Sequence, residues 1–182
     1  MSPMALVESG WQAATFLAPL HVLSFSTLLG TELYQSFVMV KVAYQALPRS
    51  AFTTLQKHIF PIYFRIQTFL VLLTAATIPP YGPKTLRDSK GNWIPFAVAG
   101  VTALLNLAIY GPRTRKVVID RTHQVTRDGR KPDDEAELSE DMVRLNKAFS
   151  RSHAMSIHLN LISIGAMIWW GWKLASLLDV KP

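Results

Sequence analysis

The sequence has no cysteine among its 182 residues, and it also lacks the short motifs that mark most soluble enzymes. Without cysteine, disulfides, thiolate metal ligands and cysteine nucleophiles are excluded. There is no glycine-rich phosphate loop, no nucleophile elbow and no ordered Ser-His-Asp set. The net charge of +7 is spread over several segments without a nucleic-acid-binding motif, so we expect no nucleic-acid partner.

Charged residues are nearly absent from four long stretches of the chain. Residues 12–40, 66–78, 93–112 and 153–178 carry at most one formal charge each. Hydrophobic residues make up 49% of the sequence, which is high for a soluble protein that also carries 17% charged residues. Because an ion left in hydrocarbon is costly, this distribution is typical of a membrane protein with several spans.

Four apolar segments reach or approach the about 20 residues that a helix needs to cross the hydrocarbon core. They lie at about 13–41, 59–79, 94–111 and 152–178. Proline and glycine fall between these segments, and aromatic residues collect at their ends, as expected at headgroup level. We predict an all-α, polytopic membrane four-helix bundle, with residues 1–182 forming a single membrane domain in the lipid bilayer.

The distribution of Lys and Arg predicts the orientation of the bundle. Thirteen of the 19 basic residues lie in the first and third connections, and five lie in the second connection and the two terminal segments. Under the positive-inside rule, residues 42–58 and 113–151 face the cytosol, with both termini on the opposite side. The membrane would be an endomembrane or the plasma membrane.

The third connection, residues 113–151, is predicted to be charged and partly helical. Asp133 and Asp134 follow a plausible turn and would supply the acidic first turn of a helix. We expect this helix to run into the fourth span, and its surface to offer contacts for a second copy or for protein partners. Its apolar face, spaced by four, three and four residues, consists of Leu138, Met142, Leu145 and Phe149.

Polar residues within the spans fall on one stripe of each predicted helix. Stripes that point at one another avoid lipid. With a rise of 1.5 Å per residue, one polar residue in each helix lies roughly 10 to 13 Å from the cytosolic end. We predict that these residues form one polar layer, in which Glu32 and Arg65 are an ion pair and two asparagines complete the hydrogen bonds. The layer consists of Glu32, Arg65, Asn106 and Asn160.

A second polar layer is predicted nearer the cytosolic surface, from His58, His153 and Gln35. The sequence has no HxxxH or HExxH spacing, and His153 and His158 point about 140° apart on a helix. We therefore expect no metal site and no cofactor.

Four segments, taken in order, resemble the transmembrane protein 205-like family of small eukaryotic four-span membrane proteins. They are LLGTELYQSFV, ALPRSAFTTLQKHIFPIYFRIQ, LLNLAIYGPRTRKV and LNKAFSRSHAMSIHLNLISI. The resemblance covers nearly the whole chain. It implies a four-helix membrane bundle linked to trafficking, without an assigned reaction.

Two functions stay open. The first is a structural, trafficking or small-molecule-handling membrane protein without catalysis, which is the function we favour. The second is a small membrane enzyme or carrier that acts on a hydrophobic molecule or a metal at the Glu/Arg/His polar layer. A metal or an apolar compound that copurifies with the protein would favour the second.

Overall fold

The chain is helical apart from short connections, over the residues that the structure describes. The computed structural model describes residues 3–129 and 138–177, with side chains from residue 15 onward. Short π-helical segments, Tyr34–Met39 and Asn106–Tyr110, continue α1 into α2 and α5 into α6. The helices are α1 (Pro3–Leu33), α2 (Val40–Ala46), α3 (Arg49–Ala76), α4 (Pro83–Leu86), α5 (Lys90–Leu105), α6 (Gly111–Arg127) and α7 (Glu140–Ser176).

Four helical rods are long and apolar enough to cross a membrane, which confirms the predicted all-α, four-span class. They are the first span Thr15–Ala46, the second span Arg49–Ala76, the third span Lys90–Arg127 and the fourth span Glu140–Ser176. The third span has 38 residues, which corresponds to roughly 57 Å of helix, nearly twice the hydrocarbon thickness. The third and fourth spans therefore extend well beyond the bilayer.

The four spans form an up-and-down bundle. Each span packs against the next one in sequence, and the fourth also packs against the first. The first and third connections lie at one end, which we name the basic end, and the second connection lies at the other. The apolar core consists of Phe25, Leu28, Leu70, Val71, Ile78, Phe96, Ala99, Met167 and Trp170.

Proline separates the first two spans. Leu47 ends α2 in an extended conformation, with φ −110° and ψ 144°, and Pro48 precedes the first residue of α3. The residue before a proline disfavours the helical region, because the proline ring collides with its backbone. This local rule produces the tight reversal that brings the second span back against the first.

The third connection is more helical than predicted, because α6 continues the third span as far as Arg127. α7 begins at Glu140, where Ser139 caps the helix by accepting the Met142 N–H at 3.2 Å. Ser139 Oγ donates to Asp128 Oδ2 at 2.8 Å, which ties this cap to the end of α6. The fourth span follows in the same unbroken helix, as predicted.

One detail of this connection differs from the prediction, and another lies outside the described residues. The predicted acidic first turn, Asp133 and Asp134, lies outside the described residues. Leu138 precedes the helix and is exposed, so it does not belong to the apolar face. The rest of that face is confirmed, since Met142 is buried and Leu145 and Phe149 are half-buried.

Gly111 closes the second π-helical segment. Its N–H bonds to the carbonyl of Asn106, five residues back. Pro112 follows and has no N–H, so the regular helical bond pattern is interrupted at this point. A Cβ added to Gly111 would lie 2.6 Å from Asn106 O and 3.1 Å from Phe64 Cδ2. The glycine therefore lets the third span approach the second.

We predict that Gly111→Ala lowers the stability of the purified protein by about 1 to 3 kcal/mol, because the methyl group overpacks the contact with backbone and ring. The measurement is the free energy of unfolding in detergent. Gly165→Ala is the matched control, since nothing lies within 4 Å of a Cβ at that helical position. The control should be neutral or stabilising. Equal losses in both variants would contradict the prediction.

Candidate functional site

Glu32 lies fully buried in the middle of the bundle. Its Oε1 accepts a hydrogen bond from Gln67 Nε2 at 2.7 Å and another from Ser163 Oγ at 2.7 Å. These donors come from the second and fourth spans, so one carboxylate oxygen joins three helices. The other oxygen, Oε2, is also buried and has no hydrogen-bond partner among the described residues.

Gln67 and Asn160 extend this network towards the basic end. Gln67 Nε2 also lies 3.1 Å from Asn160 Oδ1, which accepts the Tyr63 hydroxyl at 2.6 Å. Asn160 Nδ2 donates to Ser36 Oγ at 2.7 Å. We name these side chains the central cluster: Glu32, Ser36, Tyr63, Gln67, Asn160 and Ser163.

Both π-helical segments of the chain border the central cluster. The first begins two residues after Glu32 and contains Gln35 and Ser36, and the second begins at Asn106. In a π turn the backbone bond spans five residues, and such turns occur frequently at functional sites. Gln35 and Asn106 are buried here, and each has one polar atom without a hydrogen-bond partner in the described part of the chain.

The structure brings together part of the predicted polar layer. Glu32 and Asn160 belong to one network through Gln67. Asn106 is fully buried and donates from Nδ2 to the backbone oxygen of Ser156 at 3.1 Å, so it joins the third span to the fourth. No hydrogen bond joins Asn106 to Glu32 or Asn160 among the described residues.

Arg65 does not belong to this layer, and the predicted ion pair with Glu32 is not formed. Arg65 is exposed, and Glu32 is bound by Gln67 and Ser163 instead. Among the described residues the one ion pair is Arg144 with Asp141, at 3.2 Å and exposed. Neutral donors can approach a buried carboxylate without removing a second charge from water, which avoids the desolvation cost of an ion pair.

The second predicted layer is not assembled either. His58 is exposed on the same outer face of the second span as Arg65, and its Nδ1 lies 2.8 Å from Thr54 O. His153 is half-buried and stacks on Phe149 at 5.1 Å. Within residues 15–129 and 138–177, no three His, Cys, Asp or Glu side chains come together as ligands for a metal ion.

Sequence reasoning missed Gln67 and Tyr63, and it placed Ser163 on the polar stripe of the fourth helix but not in the polar layer. The missed residues of the second span follow Phe60 at helical spacings of three and seven residues, and so lie on one face with it. The available signal in the sequence was a face of aromatic and amide side chains, opposite a face of mainly aliphatic side chains. Arg65, the one charged residue of the predicted segment 59–79, received more weight than this pattern.

A second polar contact lies towards the opposite end of the bundle. His21 is fully buried, and its Nε2 accepts the Trp170 indole N–H at 3.0 Å. Its Nδ1 therefore carries the proton and donates to Thr74 O at 2.9 Å. With both nitrogens bonded, His21 fastens the first span to the second and the fourth as a neutral side chain.

Comparison with known proteins identifies relatives but no solved structure. No solved structure matches the chain. A curated protein of Aspergillus fumigatus, "Xanthocillin biosynthesis cluster protein D", is 43% identical over 162 residues, which covers 89% of this chain and 91% of that protein. The name of this relative does not mention the transmembrane protein 205-like family, and neither does the description of the family model reported below.

The family match covers more than half of the chain. Residues 23–123 match the model described as "Domain of unknown function (DUF4149)". The matched region includes Glu32, Tyr63 and Gln67, and ends before Asn160 and Ser163. The chain therefore belongs to the DUF4149 family of proteins.

Proposed function

We propose that this chain is a non-catalytic membrane protein that handles a small hydrophobic molecule within the bilayer, and that Glu32 receives the polar end of that molecule. The observation that carries the proposal is the free Oε2 of a fully buried carboxylate. A ligand that presents a hydrogen-bond donor, such as a hydroxyl or an amine, would complete the coordination of Glu32.

The cost of Glu32 supports a role beyond holding helices together. A carboxyl group within a span is expensive and is commonly retained for function, whereas a serine or asparagine between helices contributes only about 0.6 kcal/mol of structural hydrogen bonding. Gln67 and Ser163 could bridge the second and fourth spans without it, since their polar atoms lie 3.3 Å apart. The bundle therefore has a neutral way to join these spans.

The seam between the first and fourth spans carries the most exposed side chains of the central cluster. Ser36 and Asn160 bond across this seam and are half-buried, whereas Glu32, Gln67 and Ser163 are fully enclosed. A molecule that replaces the bond between Ser36 and Asn160 would reach the central cluster from the bilayer. We propose this seam as the lateral route of the ligand.

The Aspergillus relative supports a role in handling a biosynthetic small molecule. Its name places it in a xanthocillin biosynthesis cluster. The resemblance to the transmembrane protein 205-like family, with its link to trafficking, agrees with handling and transfer of a compound. Our proposal therefore includes that this chain is of the transmembrane protein 205-like type.

We predict that this chain restores xanthocillin production in an Aspergillus fumigatus strain that lacks its protein D, and that Glu32→Gln does not. The amide keeps the size of the side chain and an oxygen for Gln67 and Ser163, but it replaces the acceptor Oε2 with an NH2 group, which cannot accept a hydrogen bond from the ligand. The measurement is the xanthocillin content of cells and medium by mass spectrometry. The amount of chain in the membrane is measured in parallel.

The matched control is Arg65→Gln, which removes a charge from the outer face of the second span. It should restore production like the unmodified chain. Equal restoration by Glu32→Gln, or unchanged xanthocillin in the strain without protein D, would contradict the proposal. A stoichiometric metal in the purified protein, detected by elemental analysis, would instead favour the alternative of a membrane enzyme or carrier.

We also propose that the basic end of the bundle faces the cytosol. The absence of cysteine makes the chain a clean background for single-cysteine labelling. Ser50→Cys and Ser89→Cys place a thiol at exposed serines of the basic end and of the second connection. In sealed vesicles with the cytosolic side outward, a membrane-impermeant maleimide should label only Ser50→Cys. Detergent should then expose Ser89→Cys, and the reverse pattern would contradict this orientation.

A further inference from the structure

A second group of unpartnered polar atoms lies at the basic end, away from the central cluster. The buried atoms include both amide atoms of Gln56, Thr114 Oγ1 and Arg121 Nε, none of which has a hydrogen-bond partner in the described residues. Buried polar groups in folded proteins nearly always bond to protein, water or an ion. Such a group therefore indicates a partner from outside the chain.

The helices bring these side chains together with a further arginine. Arg49 and Gln56 are seven residues apart on α3, and Thr114 and Arg121 are seven residues apart on α6. Two helical turns place each pair on one face. α3 and α6 pack together and run in opposite directions, which is the arrangement needed to bring Arg49 towards Arg121 and Gln56 towards Thr114.

Two observations support this alignment of α3 and α6. Phe64 lies against Gly111, deeper in the same helix pair. Burial lowers the pKa of the Arg121 guanidinium, and the positive charge of Arg49 lowers it further. Neither arginine forms an ion pair with a carboxylate in the described residues.

An aromatic ring holds one of the two guanidinium groups, and the other lies at the start of a helix. Arg121 lies over the ring of Phe149, with 4.9 Å between Cζ and the ring centroid. Arg49 is the first residue of α3, and no side chain caps that end of the helix. The first N–H groups of a helix and its dipole favour an anion. Paired guanidinium forks match the oxygens of a phosphate group in shape and charge.

We propose that Arg49 and Arg121 bind a phosphate group at the basic end, with the Gln56 amide and the Thr114 hydroxyl as further donors beneath it. The phosphate belongs either to a soluble compound or to the headgroup of a phosphoinositide lipid. The site is separate from the central cluster, and it does not depend on the function proposed for Glu32.

The test measures the melting temperature of the full chain in detergent, with inorganic phosphate or with chloride at matched ionic strength. We expect phosphate to raise the melting temperature of the wild type. Arg49→Gln and Arg121→Gln should each raise the half-maximal phosphate concentration about tenfold or more, because each removes a charge-assisted contact. The control is Arg115→Gln, because Arg115 is an exposed arginine of α6, the helix that carries Arg121. This variant should respond like the wild type.

A second measurement separates a binding site from a structural arginine. Without phosphate, Arg49→Gln should raise the melting temperature, because it removes the repulsion with Arg121. A lower melting temperature for Arg49→Gln, or an equal effect of phosphate on all variants, would overturn the proposal.

The source of the phosphate is distinguished in phosphatidylcholine nanodiscs with and without phosphatidylinositol phosphate. Stabilisation by the inositol lipid that is lost in Arg49→Gln would assign a headgroup, and stabilisation by inorganic phosphate alone would assign a soluble compound. Both results support the site. No response of the wild type to either probe would overturn it.

Discussion

The hydrogen bonds from Gln67 and Ser163 to Glu32 join the first, second and fourth spans at the middle of the bundle. A carboxyl group at this depth must face protein, since lipid offers it no partner. Its position therefore sets the rotation of the first span, and its donors set the rotation of the other two. The apolar faces of these helices are then left for lipid.

The His21 contact applies the same constraint nearer the other end. The imidazole bonds to the backbone of the second span and to Trp170 of the fourth. Glu32 and His21 lie on one face of the first span, eleven residues or about three helical turns apart. Two such polar contacts on one helix fix both its rotation and its height in the bundle. Packing between apolar side chains alone fixes them less specifically.

Beyond the bilayer, the third and fourth spans continue as the α6 and α7 pair, and water becomes the solvent. Here the chain can hold many charges, and Arg121 uses the ring of Phe149 as a support. The third and fourth spans thus meet both lipid and water. Buried polar atoms without partners occur in the central cluster, within the bilayer, and between α3 and α6, at the basic end.

The number of spans and the segregation of charge follow from the amino-acid sequence, because crossing hydrocarbon imposes a length and an apolar composition that are local properties. The sequence also identified Glu32, Asn106 and Asn160 as inward-facing, since each is a polar residue on a largely apolar helix. The helix of the third span continues further than expected, to Arg127, because a charged continuation of a helix is taken for a loop when apolar length is the criterion.

Packing between the helices determines which face of the second span turns inward. Helical periodicity puts His58 and Arg65 on one face and Tyr63 and Gln67 on another, but periodicity does not say which face meets the bundle. Packing against the first and fourth spans made that choice, and it selected the neutral donors. The reason is physical: a buried carboxylate is bound at lower desolvation cost by an amide and a hydroxyl than by a second charge that must also leave water.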